Sequence, residues 1–177
     1  MLNWGKTDSV ATEKTNWYAV QTRSRHEKKV ADEIQDKGIS AFLPLVTQIH
    51  RWSDRRKEVD LPLFPGYVFV RTSPSPDARI SVLRTPGVAG FVGSQGRGTP
   101  IPDKQIEDIR VILDNDVPFE PYPFLQINRP VRIRGGSLDG VVGTLVAKNS
   151  DQSLVVSVDL IKRSISVRVS GYEVEEV

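Results

Sequence analysis

Val131-Arg132-Ile133-Arg134-Gly135-Gly136-Ser137-Leu138-Asp139-Gly140-Val141-Val142-Gly143-Thr144-Leu145 reads as two β-strands around a glycine-bounded loop. Gly136, Gly140 and Gly143 stand at turn and strand-bend positions, where a Cβ would crowd the backbone. Strands are expected over 131–134 and 141–148. Further along, 154–161 and 164–169 carry β-branched residues with stretches of period-two alternation. Asn149-Ser150-Asp151 is a turn between them. Short strands at this density fit a small five-stranded β-barrel over residues 125–177. A unit so small is marginal, because it buries only about 60% of its chain surface.

Immediately upstream, residues 114–124 (DNDVPFEPYPF) hold three prolines and no periodicity, which marks a linker. The segment before it mixes element types. Trp17-Tyr18-Ala19-Val20 suits a strand. Ser24 and Glu27 have capping-box spacing, and Val30, Ala31 and Ile34 form an apolar stripe. Gly38 supplies a left-handed stop, so a helix is expected over about residues 25–37. One long strand is expected over 40–52, a polar hairpin tip at 53–57 and a return strand over 59–63. Strands at 67–70 and 88–92, a short helix from Ser75-Pro76, and a helix capped by Asp103 with Ile106, Ile109 and Leu113 inward complete the set. The order is β-α-β-β-β-α-β-α. It predicts an α+β fold, an antiparallel-sheet sandwich with helices on one face over residues 16–113, preceded by a disordered polar tail over 1–15.

Charge is distributed unevenly. The formal net charge is only +2. Residues 1–113 carry 17 Lys/Arg against 13 Asp/Glu, whereas residues 114–177 carry 7 against 9. Polyanion contact is therefore expected in the first part. There is no cysteine, which excludes disulfides and thiolate metal sites. The N-terminal residues have no apolar core of a signal peptide, and no apolar run approaches the roughly 20 residues of a membrane span. A cytoplasmic location with no membrane association is expected.

The segment 131–145 resembles the KOW motif, with Arg134, Gly136, Gly140 and Gly143 in the motif positions. Leu63-Phe64-Pro65-Gly66-Tyr67-Val68-Phe69-Val70 resembles the Phe-Pro-Gly-Tyr signature of the NusG N-terminal (NGN) domain. Trp17-Tyr18-Ala19-Val20, Thr85-Pro86-Gly87-Val88-Ala89-Gly90-Phe91-Val92-Gly93 and Pro100-Ile101-Pro102-Asp103 are similar to further family segments in the family's order. The resemblance spans residues 16–177 and implies an NGN-like domain followed by an SH3-like KOW barrel. The Leu61–Val70 segment and the sparse hairpin are closer to the specialised RfaH and UpxY type than to the general factor.

The resemblance also implies function. The first domain would bind the clamp helices of RNA polymerase β′ and reach toward the β gate loop, suppressing pausing and promoting antitermination. Tyr18, Phe64, Pro65, Tyr67 and Phe91 are the candidates for an exposed apolar patch, although strand neighbours alternate faces. Arg23, Arg25, His26 and Arg84 are placed to approach the non-template DNA strand, since arginine pairs with phosphate and stacks on splayed bases. The KOW domain would recruit a ribosomal protein, Rho or nascent RNA. RfaH-type proteins touch the gate loop through a His-Thr-Thr triplet, and Asp77-Ala78-Arg79-Ile80-Ser81 stands there instead. Rich β-branching and four glycines disfavour the helical hairpin that this domain adopts in RfaH-type relatives. A constitutive barrel is expected, tethered by 114–124 and clear of the polymerase patch.

Blander readings compete with each assignment. A second basic cluster, Arg51, Arg55, Arg56 and Lys57, reads as a solvated surface in a generic protein. Gly93-Ser94-Gln95-Gly96-Arg97-Gly98 lacks the Gly-Lys-Ser/Thr ending of a phosphate loop. His26 and His50 lack ligand spacing, so no metal and no cofactor is expected. Asp32, Glu33 and Asp36 lie on the polar face of a helix, and nothing forms a nucleophile–base set, so no enzymatic activity is expected. The alternative to a polymerase factor is a ribosome-associated or RNA-binding KOW protein. The near-neutral charge of residues 114–177 disfavours it.

Overall fold

The computed structural model describes residues 14–51, 56–122, 130–148 and 151–177. The N-terminal tail up to residue 13, the hairpin tip at 52–55 and part of the expected linker and of the 149–151 turn lie outside these. The first part comprises β1 (Asn16–Thr22), α1 (Glu27–Asp36), β2 (Ser40–Phe42), β3 (Leu45–Arg51), β4 (Arg56–Pro62), β5 (Tyr67–Thr72), α2 (Pro76–Leu83), β6 (Val88–Phe91) and α3 (Asp103–Asp114). The second comprises β7 (Phe119–Tyr122), β8 (Pro130–Arg134), β9 (Val142–Lys148), β10 (Asp151–Val158), β11 (Arg163–Arg168) and β12 (Glu173–Glu176).

The first sheet has the order β2-β5-β1-β6, with antiparallel pairing throughout. Its two central strands bury both faces, because successive side chains point to opposite sides. Tyr18, Val20, Val68 and Val70 pack under Val30, Ala31 and Ile34 of α1 and Val82 of α2. Trp17, Ala19 and Phe69 face the other way and join Ile106 and Ile109 of α3. Helices were expected on one face only. Two-sided burial of β1 and β5 demands cover on both, and α3 supplies the second layer.

Local differences have local causes. The expected long strand over 40–52 divides at Leu43-Pro44. Proline has no N–H for a ladder, and the Pro44 carbonyl instead accepts from Leu63 N–H at 2.8 Å. The resulting β3–β4 ribbon pairs only with itself. The capping box does not form. His26, not Ser24, is the N-cap of α1, and no side chain caps that end. Gly38 does take the left-handed conformation (φ +77°) that ends the helix. Ser75 caps α2 through Ala78 N–H, with Pro76 in the first turn. Pro102, not Asp103, is the N-cap of α3, and Asp103 pairs with Arg71 at 3.2 Å. Ile112 is the fully buried residue at the end of α3, where Leu113 is only half-buried.

The second sheet has six strands in the order β12-β8-β9-β10-β11-β7, all neighbours antiparallel. Five were expected. The sixth is β7, from the expected linker, which pairs with β11. Proline at 118 and 121 disguises this strand in the sequence. Pro121 sits inside it and is tolerated because β7 lies on the sheet edge. Leu138, Val141, Leu154, Val156, Val158, Ile165 and Val167 fill the barrel interior. Strands joined by turns and one helical turn make up the described residues of 130–177, with no helical hairpin among them.

The barrel does not stand clear on a tether. Ile106, Ile109 and Ile112 of α3 belong to one buried cluster with barrel residues such as Val156 and Ile165. Polar contacts align the two. Gln105 Nε2 donates to Asp159 Oδ2 at 2.9 Å, and Asp159 N–H donates back to Gln105 Oε1 at 3.1 Å. Asp108, almost fully buried, accepts from Val142 N–H at 3.3 Å and pairs with Lys104. Burial pushes the Asp108 carboxyl above its ordinary range, outweighing the opposing pull of Lys104 and of the Val142 N–H.

This packing can be tested at two positions. A Cβ on Gly143 would lie 2.4 Å from the Val155 carbonyl oxygen, whereas one on Gly90 would meet nothing within 4 Å. Gly143→Ala should cost about 2 kcal/mol or more and Gly90→Ala less than about 0.5 kcal/mol in urea unfolding; equal effects would contradict the packing. For Asp108, a folded pKa above the unfolded one means that the charge costs stability above the folded pKa, and that this cost vanishes as pH falls toward 3.8. Wild type should therefore gain on Asp108→Asn between pH 7 and pH 4 in thermal denaturation. A pH-independent difference would show that the carboxyl is not penalised.

Candidate functional site

The bend Phe64-Pro65-Gly66 between β4 and β5 is fixed from below. Phe64, 3% exposed, stands edge-on to Phe69 with ring centroids 6.2 Å apart, and Phe42 stacks on the same ring. Gly66 takes φ +87°, which favours glycine. Its N–H donates to Glu27 Oε1 at 2.8 Å, and its carbonyl accepts from Thr22 N–H at 2.9 Å. Glu27 is buried at the start of α1. It therefore leaves the capping role suggested by its spacing and ties the helix to the bend. Sequence reasoning missed this residue, and the signal was available: a carboxylate on the apolar side of a helix needs a buried donor.

The five aromatic and proline candidates do not form one surface. Tyr18 and Phe91 are buried edge-on to each other at 5.8 Å, in the core beneath α1 and α2. Phe64 is buried in the core on the opposite side of the sheet. Only Pro65 is exposed, and Tyr67 is half-buried. The cause is strand alternation, which sends neighbouring apolar side chains to opposite cores. The large exposed apolar residues are instead Leu45 and Ile49 on the ribbon, Ile80 and Leu83 on α2, and Leu145 and Val177 in the barrel, among the described residues. Beside the bend runs an open groove. Its lining includes Leu45, Val46 and Leu61 of the ribbon, Phe64 and Pro65 of the bend, Ile165 of the barrel and, among the charged residues, Lys28 and Arg163.

The basic candidates do come together. Arg23 N–H donates to Gly87 O at 2.8 Å, which locks the Arg23–His26 turn onto the Thr85–Gly87 turn. Gly87 (φ +96°) packs so closely that a Cβ would lie 3.1 Å from His26 Cβ and 3.0 Å from Val30 Cγ2. Arg84 ends α2 just before this turn. Arg23, Arg25 and Arg84 are exposed and His26 half-buried at one end of the domain. None of the three arginines has an ion-pair partner among the described residues. Such an arrangement offers unneutralised guanidinium groups to a polyanion.

In the barrel motif, Gly136 and Gly140 take positive φ and Gly143 abuts the β10 backbone. Arg134 is exposed and paired with Glu175. Its hydrogen bond holds the Glu175 carboxyl below the ordinary range. No group of three or more His, Cys, Asp or Glu gathers as a metal site among the described residues, and no described helix is long and apolar enough to cross a membrane.

A protein-family model described as transcription termination factor nusG matches residues 15–110. The chain belongs to the NusG family. It is 29% identical over 176 residues to the transcription termination/antitermination protein NusG of Lactococcus lactis, covering 91% of this chain and 92% of that protein. The Bacillus subtilis NusG is 29% identical over 180 residues, covering 92% and 98%. A solved structure of Thermotoga maritima NusG, described by its domain interaction, is similar with a TM-score of 0.50 and 25% identity, covering 93% and 98%. The protein is thus a NusG-type transcription factor, in a family that interacts with RNA polymerase and is not known for enzymatic activity.

The geometry of the NusG bend yields a prediction. Glu27→Ala leaves the half-buried Gly66 N–H without its acceptor, which should cost about 1 kcal/mol or more. Glu27→Gln keeps an acceptor oxygen and should cost less. Hydrogen exchange at the Gly66 amide should accelerate in the Ala variant, and unchanged protection would disprove the tie.

Proposed function

We propose that this NusG-type factor docks on the β′ clamp helices of RNA polymerase through the groove beside Phe64-Pro65, suppresses pausing and promotes antitermination in the cytoplasm. The observation that carries this reading is the groove itself. It is open, more apolar than polar, and lined in part by a bend tied to α1 through Glu27 and Gly66. Exposed apolar surface of this kind marks a partner site. Leu45, Pro65 and Pro118 are exposed apolar residues there, and Tyr67 is half-buried beside the bend.

Arg23, Arg25, His26 and Arg84 are the proposed contacts to the non-template DNA strand, supported by their convergence through Gly87. Ile80 and Leu83 are exposed on α2, and Ile80 falls in the 77–81 segment proposed to face the gate loop. The barrel, through Arg134 and its glycine-bounded loop, is the proposed recruiter of a ribosomal protein, Rho or nascent RNA.

Leu45→Glu in the intact protein should weaken binding to core RNA polymerase about tenfold or more without altering its circular dichroism. Retained affinity in the folded variant would remove the groove from the interface. Arg23, Arg25 and Arg84 replaced together by Ala should preserve polymerase binding and lessen crosslinking to the displaced DNA strand. The slope of log K against log salt should fall by about 0.7 for each phosphate that is no longer neutralised.

A further inference from the structure

Two carboxylates are almost fully buried among the described residues, and their surroundings differ. Asp108, 3% exposed, has Lys104 as its cation and the Val142 N–H as a second donor. Glu27, 5% exposed, has no ion-pair partner among the described residues. Its Oε1 accepts from Gly66 N–H, and no hydrogen bond reaches its Oε2 among those residues. Glutamate is almost never this buried unless paired. Its place in the first turn of α1 offsets part of the cost, because a helix N-terminus carries partial positive charge. A neutral amide and a helix end still leave a full charge without a counter-charge.

The free oxygen is not sealed in the core. The polar side-chain atoms sealed without a partner are Thr22 Oγ1 and Arg79 Nε, and Glu27 Oε2 is not one of them. Glu27 instead lines the groove beside Phe64 and Pro65. That groove encloses about 1290 Å³, more than the roughly 300–1,000 Å³ of a small-molecule pocket, so a macromolecular segment is the fitting occupant. The other charges of the lining, Arg25, Lys28, Asp60, Asp116, Lys162 and Arg163, are all exposed. Exposed charges are screened by salt and steer encounter more than they hold a complex. Glu27 alone among them is already withdrawn from water, and docking would close off the access it has left.

We propose, resting on the docking reading above, that Glu27 is the ion-pair anchor of the groove and takes the guanidinium of an arginine on the docked polymerase helix. Leu45, Leu61 and Pro65 of the lining would meet the apolar stripe of that helix. Arginine suits the place better than lysine, because its planar guanidinium is more weakly hydrated than an ammonium and is favoured in buried ion pairs. Gly66 holds Oε1, so the carboxylate is fixed before the partner arrives. A partner with a neutral or acidic residue at this point would bury Glu27 unpaired, and the groove would reject it.

The experiment is a double-mutant cycle on binding of the full chain to core RNA polymerase. Wild type, Glu27→Gln and Leu45→Glu are each measured against polymerases in which the arginines of the β′ clamp helices are changed singly to Ala. Glu27→Gln keeps an acceptor for Gly66, so that amide should stay protected from hydrogen exchange while affinity for unaltered polymerase falls about tenfold. One arginine variant should show a similar loss against wild type and little further loss against Glu27→Gln, a coupling of about tenfold. A bend merely loosened by the substitution would weaken every polymerase variant alike. Additivity with all the arginines would therefore overturn the pairing, as would undiminished affinity of Glu27→Gln. Leu45→Glu separates the two readings. If it binds normally, the groove is not the interface and the anchor falls with it. If it binds weakly while Glu27→Gln binds normally, the anchor alone falls.

Discussion

Helix α3 is the element on which both halves of the molecule depend, because it is buried on two sides by different partners. Ile106 and Ile109 close the second face of the N-terminal sheet, while Gln105, Asp108 and Ile112 meet the barrel. Residues three and four apart on a helix share a face, so a 12-residue segment can present two adjacent stripes. The apolar stripe supplies area, which is non-directional. The polar one supplies register, because Asp159 and Val142 can meet their partners in only one placement of the barrel. Arg110 covers what remains, lying over the rings of Trp17 and Phe42 at 5.1 and 4.6 Å from their centroids. Cation–aromatic contact of this kind fastens the helix to strands β1 and β2 of the first sheet.

Much of this was legible in the residues. The β-branched runs of β10 and β11, the aromatic opening of β1 and the Ser75-Pro76 start of α2 are local signals, and they hold because local propensity and tertiary packing agree there. What was illegible is where a distant partner prevails. Glu27 has the spacing of a capping residue, yet the Gly66 amide 39 positions away takes its carboxylate. β7 contains a proline and looks like linker until β11 offers it an edge. The second face of the sheet could not be counted from alternation alone, since Trp17-Tyr18-Ala19-Val20 is apolar at every position.

The candidate site divides along the same line. Arginines on turns declare themselves, because a long charged side chain in a polar segment is rarely buried. Their convergence is a matter of Gly87 fitting against His26, which no single segment reveals. Aromatic residues in strands give no such guidance. Tyr18 and Phe91 look like a binding patch and serve as core, whereas Leu45 and Ile49, with ordinary aliphatic side chains, are the ones left facing solvent.

The place of β7 has a mechanical consequence. While it remains zipped to β11, the chain between α3 and the barrel is only residues 115–118, a leash of roughly 13 Å at full stretch. Should β7 peel away, the leash runs from 115 to 129 and extends to roughly 50 Å. The distance that the C-terminal barrel can travel is therefore not a fixed property of a linker. It has two settings, set by one short, proline-bearing edge strand, and either is reached only once the α3 contacts to the barrel have parted.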